Sequence, residues 1–540
     1  MRSFFLNTAV VLCGSLLFAL SFPNPLFYNG LGFCAFFALA PVVFVICRNG
    51  IVSCIAWGGL YGYVSYLLFN HWLVSFHPLA GFFAGGIFFF YLSVLFPLMK
   101  LAHLGFPKRG FILMTLIFLA YEYVRTLGFL GYSYGILAYT QWRFIPLIQI
   151  ASLCGVWGVS ALAAFPGVLT GWVLARVKDG TWKTGVKYAA APAMVFCVVF
   201  AAALVYGAAV EGAYRAEFPS AKIALIQPNN DPWKGGIYEY RKNFAALTEL
   251  SDAALRAEPA ADLVVWPETA FIPRVYWYLT YREGNYYPLV KELVDYLAAK
   301  ETAFVIGNDD GRREVGANGV WEDVDYNAAL FFEKGDISGV YRKTHLVPFA
   351  EYFPYTGGPL GMVRRALEED THFWKPGTTP VVFELARADG PLKFSTPICF
   401  EDTFGYLSRD FTRGGAQLIV NLSNDAWSAS LSCQMQHLAT AVFRAVENRR
   451  SLVRATTTGQ SCAIDPLGRV IAKAEPFTET FLTVEVPLVD SQSPYTRLGD
   501  VLGQGFALAA LAGLAAAILH IPGQRSILTK DEHAKKNTRH

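Results

Sequence analysis

Charge is what this sequence has least of. Only 16% of its 540 residues are Asp, Glu, Lys or Arg, against roughly 25% in ordinary soluble domains. The 45 basic and 42 acidic residues leave a formal net charge of +3, and no basic stripe with interleaved aromatics runs through the chain, so no nucleic-acid partner is expected. The nine cysteines form no C-x-x-C pair and no zinc spacing. H-E-x-x-H and G-x-x-x-x-G-K-[ST] are both missing, so neither a metal nor a nucleotide cofactor is expected. Internal repeats and low-complexity tracts are also absent. What the chain has in abundance is apolar surface: 54% hydrophobic residues and 15% aromatics, with a mean hydropathy of +0.34. Over this length, that composition predicts a membrane protein.

The apolar residues are not spread evenly. Residues 1–210 are a succession of apolar runs, which predict membrane helices at about 4–22, 31–47, 51–69, 81–99, 111–128, 158–176 and 188–209, each near the ~20 residues a bilayer requires. An eighth, GDVLGQGFALAALAGLAAAILH, covers 499–520 and is followed by a basic tail, 521–540. The first run has no small-residue cleavage site after SFPNP and reads as retained. With the N-terminus inside, the inner breaks hold Arg2, Arg48, Lys100, Lys108, Arg109, Arg176, Lys178, Lys183 and Lys187, while the outer breaks hold little beyond Arg143. That asymmetry sets residues 211–498 on the extracytoplasmic side. Cys13, Cys34, Cys47, Cys54, Cys154 and Cys197 fall in the apolar runs, where a small buried hydrophobe is the ordinary reading.

Residues 211–498 are a different material. Short β-branched runs such as AKIALIQPN, DLVVWPETA, TAFVIGNDD, DISGVYRKT, PLKFSTPICFED and AQLIVNLSND alternate with helical patterns such as YPLVKELVDYLAAK and QHLATAVFRAVENRR. Strands alternating with helices predict an α/β domain. Three strand ends carry reactive side chains: Glu268 after LVVWP, Lys343 after ISGVYR, and Cys399 after KFSTPI. Strand ends are where such domains collect function. A cysteine, a carboxylate and a lysine together suit covalent catalysis: the carboxylate takes the thiol proton and the ammonium steadies an oxyanion. Taken singly, each residue has a plainer reading, as a buried thiol, a turn acid and a solvated strand-end charge. The acids at 401 and 402 sharpen the puzzle, since negative neighbours keep a thiol protonated. Gly131-Tyr132-Ser133-Tyr134-Gly135 fits G-x-S-x-G, but it lies between two apolar runs with no preceding strand and is read as a loop. His345 invites pairing with Cys399, and His437, at the start of a helical pattern, reads as structural.

The surroundings of the three residues decide between these readings. VVWPETAF around Glu268, YRKTHLVPFAEYFP around Lys343 and ICFEDTF around Cys399 resemble the nitrilase superfamily. LIVNLSNDAW (418–427), QHLATAVFRAVENRRSLVRATTTGQSCAIDPLG (436–468), YEYVRTLGFLGYSYG (121–135) and PLIQIASLCGVWGVS (146–160) resemble its membrane-embedded branch, the apolipoprotein N-acyltransferases. The resemblance implies eight transmembrane helices and an extracytoplasmic α-β-β-α nitrilase-like domain. It makes Glu268 the general base, Lys343 the oxyanion stabiliser and Cys399 the nucleophile. Glu351 matches a second, positioning glutamate, Glu401 the acid two beyond the cysteine, and Asn327 an asparagine near the site. Trp233 matches a tryptophan of the substrate loop. Two departures stand out: Phe400 where tyrosine is usual, and Asn424-Asp425-Ala426-Trp427-Ser428 where N-D-G-W-F is common.

The function so implied is acyl transfer in a bacterial inner membrane. A phospholipid gives its acyl chain to Cys399 as a thioester, and the N-terminal α-amine of a diacylglyceryl-cysteine lipoprotein takes it, in a ping-pong sequence. A monomer is expected. The apolar stretches VYWYLTY (275–281) and GGPLGMVRRAL (357–367) are candidate lids at the lipid interface. Two alternatives stand beside this reading. A membrane-tethered amidase or nitrilase-type hydrolase would let water attack the thioester, and a non-catalytic membrane scaffold would keep the shell alone.

Overall fold

The computed structural model describes residues 2–537 except 77, 215–217, 283, 317–318, 355–356, 359–360, 363 and 366–372, with backbone alone for residues 2 and 522–537. The chain divides into two compact units, Met1–Val210 with Asp500–His540, and Glu211–Gly499.

In the first unit, six helices among the described residues are long and apolar enough to cross a membrane: Ser3–Ser21, Ile51–Phe69, Ala80–Gly105, Val156–Lys178, Trp182–Ala213 and Val501–Ile521. They fall on six of the eight expected spans. The other two are shorter. The 31–47 run is broken into Gly32–Cys34, Ala35–Ala38 and Ala40–Arg48, the last carrying Pro41 in its first turn, where a missing N–H is tolerated. The 111–128 run is helical only over Gly110–Val124.

Helices Ile51–Phe69 and Ala80–Gly105 meet through glycine. A Cβ on Gly58 would stand 2.1 Å from the Leu92 carbonyl oxygen, and one on Gly62 2.2 Å from that of Phe88. Lipid tails are as apolar as leucine, so close backbone packing of this kind, rather than hydrophobic burial, holds such helices together. Beyond Gly110–Val124 the backbone is irregular, and within a membrane unit its polar groups must be satisfied by protein. Two buried charges one helical turn apart do this. Arg125 donates to the carbonyls of Tyr132 and Tyr134, both at 2.7 Å, and Glu122 accepts the Leu137 N–H at 2.7 Å. The G-x-S-x-G stretch is therefore a clamped loop with Ser133 buried, and it follows a helix rather than a strand.

In the second unit, the described residues form twelve strands: β1 (Ser220–Gln227), β2 (Leu263–Val265), β3 (Ala303–Val315), β4 (Trp321–Glu333), β5 (Asp336–Arg342), β6 (Val382–Leu385), β7 (Leu392–Ser395), β8 (Leu418–Ser423), β9 (Ser451–Thr456), β10 (Cys462–Ile464), β11 (Val470–Lys473) and β12 (Thr480–Pro487). They make two six-stranded sheets, in the orders β12-β1-β2-β3-β4-β5 and β11-β10-β9-β8-β7-β6. At the heart of each are three parallel strands, β1-β2-β3 and β7-β8-β9, flanked by antiparallel ones. Period-2 alternation gives each sheet two apolar faces. Ile223, Leu225, Val265, Val305 and Phe331 face Phe394, Leu418, Val420 and Val453 across a common core. The alternate residues Ile226, Val264, Trp266, Phe304 and Ile306 pack under the helices Ile237–Ala257 and Tyr287–Ala298. Over the second sheet lies the helix Leu431–Asn448, almost wholly buried. It begins six residues before His437, earlier than the sequence pattern indicated. Helices thus cover both outer faces of a double sheet.

A valine at Gly62 must push two helix backbones apart. Overpacking of this kind costs about 1–3 kcal/mol, so Gly62→Val should lower the thermal midpoint of the detergent-solubilised protein. Gly86→Ala, on a face with nothing within 4 Å, should leave it unchanged.

Candidate active site

Three chain segments bring Glu268, Lys343 and Cys399 to one end of the double sheet. Glu268 lies three residues beyond β2. Trp266 still pairs with β3 through its N–H to Val305 O, at 2.8 Å, and its ring is fully buried, with Nε1 donating to Ser251 Oγ at 2.9 Å. The chain then crosses directly over Gly307, where a Cβ would stand 2.2 Å from Pro267 O and 2.6 Å from the Glu268 Cα. Only glycine permits that approach. Asn308 fastens the next stretch by donating to the carbonyls of Phe271 (2.5 Å) and Pro273 (2.9 Å).

Lys343 follows β5 directly. Its N–H donates to Asn327 O and its carbonyl accepts from Gly377, both at 2.8 Å, so its backbone is held from two sides. Its side chain is completely buried. Nζ donates to Glu351 Oε1 at 2.7 Å and to Glu268 Oε1 at 3.2 Å. Asn327 Nδ2 also donates to Glu268 Oε1, at 2.8 Å, while the Asn424 N–H takes Oε2 at 2.9 Å. Glu351 Oε2 accepts the Val347 N–H at 2.9 Å. Burial disfavours the Lys343 ammonium, but the charges of Glu268 and Glu351 more than reverse this and hold its pKa above the ordinary value. Burial raises Glu351, with Lys343 opposing.

Cys399 sits at the turn after β7, partly exposed, with φ of +49°. A non-glycine residue held in the left-handed region marks stored backbone strain. The turn is fixed by a bridge between Ile398 and Leu422 and by Asn421 Nδ2, which donates to Pro397 O at 3.2 Å. Burial of the sulfur raises the thiol pKa well above the usual value. Glu268 adds to this, Lys343 opposes it, and Asp425 and Glu351 raise it further. The resting group is a neutral thiol.

Glu401 joins the lysine and cysteine segments. Its Oε1 accepts from Tyr341 Oη (2.7 Å), Thr344 N (2.7 Å), Thr344 Oγ1 (2.9 Å) and His345 N (3.0 Å), and its Oε2 from Ile398 N at 2.8 Å. The carboxylate is therefore fully occupied by donors on both segments. Phe400 is buried, its ring 5.0 Å from Phe404 and 5.8 Å from His345. His345 Nδ1 meets Tyr406 Oη at 2.8 Å, and burial, with help from Lys343, lowers its pKa to about 4. Trp233 lies on the segment after β1, is 65% exposed, and takes no part in the buried network of Glu268, Lys343 and Glu351. VYWYLTY forms the helix Val275–Tyr281, with Arg312 over Tyr276 and Arg313 over Trp277 and Tyr281, so β3 holds it down. Of the other candidate lid, residues 359, 360, 363, 366 and 367 lie outside the described residues.

Sequence reasoning missed the Asn424 N–H on Glu268, because a backbone donor leaves no signature. It also missed the group beneath the Cys399 turn: Asp402, Asp425 and Arg454, gathered around His437. Asp425 was visible in the N-D-A-W stretch, but nothing local tied it to a histidine twelve residues on. Cys433 and Cys462 are both buried and free.

The double sheet with helices on both outer faces is a carbon-nitrogen hydrolase domain: the model of that family, "Carbon-nitrogen hydrolase", matches residues 222–494. The "Apolipoprotein N-acyltransferase N-terminal domain" model matches residues 14–169. The chain is 44% identical over 512 residues to apolipoprotein N-acyltransferase 1 of Treponema pallidum (strain Nichols), covering 92% of each chain. It is 41% identical over 517 residues to apolipoprotein N-acyltransferase 1 of Treponema denticola, covering 93% of this chain and 94% of that one. To the Geobacter metallireducens apolipoprotein N-acyltransferase it is 34% identical over 531 residues, covering 94% and 93%. The chain belongs to the apolipoprotein N-acyltransferase family: it is a multi-pass membrane acyltransferase.

A raised thiol pKa has a direct consequence. Alkylation of Cys399 by iodoacetamide, followed on its own peptide by mass spectrometry, should keep accelerating as pH climbs past 9. A plateau below pH 8 would mean a thiolate at rest and contradict the electrostatics described above.

Proposed function

We propose that this enzyme moves a fatty acyl chain from a membrane phospholipid to the N-terminal α-amine of a diacylglyceryl-cysteine lipoprotein, by way of a thioester on Cys399. The observation that carries this reading is the buried Lys343 between Glu268 and Glu351, within electrostatic range of the Cys399 thiol.

In the first half-reaction Cys399 Sγ attacks the ester carbonyl carbon. Its proton passes to Glu268, the general base, and a C–S bond forms. The carbonyl oxygen gathers negative charge, which the Lys343 ammonium stabilises; a pre-placed donor of this kind is worth about 10²–10³ in rate. The ester C–O bond then breaks, and Glu268 returns the proton to the leaving glycerol oxygen, releasing a lysophospholipid. In the second half-reaction the lipoprotein amine attacks the thioester carbon. Glu268 takes the amine proton and gives it to the departing sulfur, leaving an amide and a regenerated thiol. Ester to thioester is near balance and thioester to amide runs downhill, so no nucleotide is required. Because the resting sulfur is a thiol, the base must act during attack rather than before it. Glu351 sets the position of Lys343, and Glu401 sets the spacing between the lysine and cysteine segments.

All three groups come from one chain, which suits a monomer. We read all eight apolar runs as membrane spans of the bacterial inner membrane, with the basic breaks cytoplasmic and the catalytic unit on the periplasmic side, as the charge asymmetry favours.

Cys399→Ala should abolish acylation of a diacylated lipopeptide while the thermal midpoint stays close to wild type. Glu268→Gln should slow acyl-enzyme formation by about 10²–10⁴-fold, read by intact mass after mixing with phospholipid. Adduct formation by Glu268→Gln at the wild-type rate would remove Glu268 from the base role. Free fatty acid in place of acylated lipopeptide would point to a hydrolase.

A further inference from the structure

Beneath the Cys399 turn lies a buried ionic cluster that the chemistry above does not use. His437, on the helix Leu431–Asn448, stands between two carboxylates. Its Nε2 is 2.7 Å from Asp402 Oδ1 and its Nδ1 is 3.0 Å from Asp425 Oδ1. Nε2 is also 3.3 Å from the carbonyl oxygen of Cys399 itself. Arg454 on β9 pairs with Asp402 and lies 3.5 Å from Asp425 Oδ2. All four side chains are buried. The charged groups facing the ring are thus Asp402 from the turn, Asp425 from the segment after β8, and Arg454 from β9. The thiols of Cys433, on the same helix, and Cys462, on β10, lie within electrostatic range of the cluster's acids.

The contacts at the two ring nitrogens bear on its proton count. An acceptor oxygen lies against each ring nitrogen, and only an imidazolium donates from both. One contact pulls the other way: Arg454 Nη2 is 3.1 Å from Nδ1, an arrangement that suits a neutral ring. Charge balance decides the matter. Two carboxylates and one guanidinium leave a buried net charge of −1, and a protonated His437 brings the cluster to zero; buried charge is tolerated only when paired. Burial and Arg454 push the ring's pKa down, but Asp402 and Asp425 outweigh them and raise it to about 9.

We propose that His437 is a positioning residue for the nucleophile: a charged imidazolium that holds the Cys399 carbonyl from beneath and cancels the charge of the acids under the sulfur. Two effects follow, both resting on Cys399 being the reacting group. First, the single Nε2–H, which donates chiefly to Asp402 Oδ1, also reaches the Cys399 carbonyl oxygen at 3.3 Å as the weaker branch of a shared bond, and Asn421 Nδ2 donates to the same oxygen at 3.4 Å. This fixes the peptide plane that follows Cys399 and keeps the residue in its left-handed conformation. Second, Asp425 is among the charges that hold the thiol protonated. Without the imidazolium, its influence on the sulfur is no longer offset.

The test is the pH profile of Cys399 alkylation in the full-length protein, which needs no lipid substrate. His437→Gln keeps an N–H donor at the Nε2 position and removes the charge. Its alkylation profile should move to higher pH, with the rate at pH 8 falling about 10-fold for each unit of thiol pKa. Acyl-enzyme formation should slow without a change in the phospholipid KM. Asp402→Asn combined with His437→Gln restores a neutral cluster and should recover most of the alkylation rate. A wild-type profile in folded His437→Gln would overturn the proposal, as would a double variant no faster than the single one. If His437→Gln does not fold, the neutral double variant carries the test alone: its profile should lie near wild type, and a profile moved up in pH would overturn the proposal. Failure of wild-type protein to take an acyl chain from phospholipid would remove the acyl-transfer reading and leave this comparison standing.

Discussion

One ammonium held between two carboxylates governs the arrangement of this enzyme's double-sheet unit. Lys343 is completely buried, and a buried lysine keeps its charge only if partners replace the lost water. Glu268 and Glu351 supply that replacement at 3.2 and 2.7 Å. Two acids against one base leave a surplus negative charge, which Asn327 Nδ2 and the Asn424 N–H address by donating to the two oxygens of Glu268. Each of these partners comes from a different segment. Holding them within hydrogen-bond distance requires the long β3–β4 pairing, the approach over Gly307 and the contact between the two sheets. The fold is in this sense a frame for one cation.

The same accounting of charge explains how a thiol tolerates acids two and three residues beyond it. Glu401 points away from the sulfur, into five donors on the Tyr341–His345 and Ile398 segments. Asp402 points beneath the turn, to Arg454 and His437. Neither acid is directed at the Cys399 sulfur. One ties two loops together and the other anchors the turn to the buried helix. The largest charges that bear on the sulfur are Glu268, which raises the thiol pKa, and Lys343, which lowers it, with smaller contributions from Asp425 and Glu351.

Much of this was legible in the sequence, for identifiable reasons. Long apolar runs announce themselves, and six of the eight expected spans are helices of membrane-crossing length. The two that fell short carry local breaks, Pro41 and the Arg125 loop, that a hydropathy window smooths over. Five of the six central parallel strands, β1, β2, β3, β7 and β8, were visible as β-branched runs. β4 was not, because WEDVDYNAALFFE begins with charged residues and becomes apolar only where it enters the core. The helix Ile237–Ala257 escaped for the opposite reason: its apolar stripe is narrow and its remaining faces are charged. At the site, Glu268, Lys343 and Cys399 stood in distinctive surroundings. The Asp402–His437–Asp425–Arg454 cluster did not, since its members come from four elements and no spacing rule joins them. Pairwise ionic contacts across a fold are set by tertiary packing, and a linear pattern carries little trace of them.

The proposed chemistry requires an acyl chain to rest on one sulfur. It is tested most directly by mixing the purified protein with a phospholipid of defined acyl chain and no acceptor, digesting it, and locating the added mass. A single acyl adduct is expected on the peptide carrying Cys399, released by neutral hydroxylamine as a thioester must be. An adduct on another residue, or lipopeptide acylation proceeding with no adduct at any time point, would contradict it.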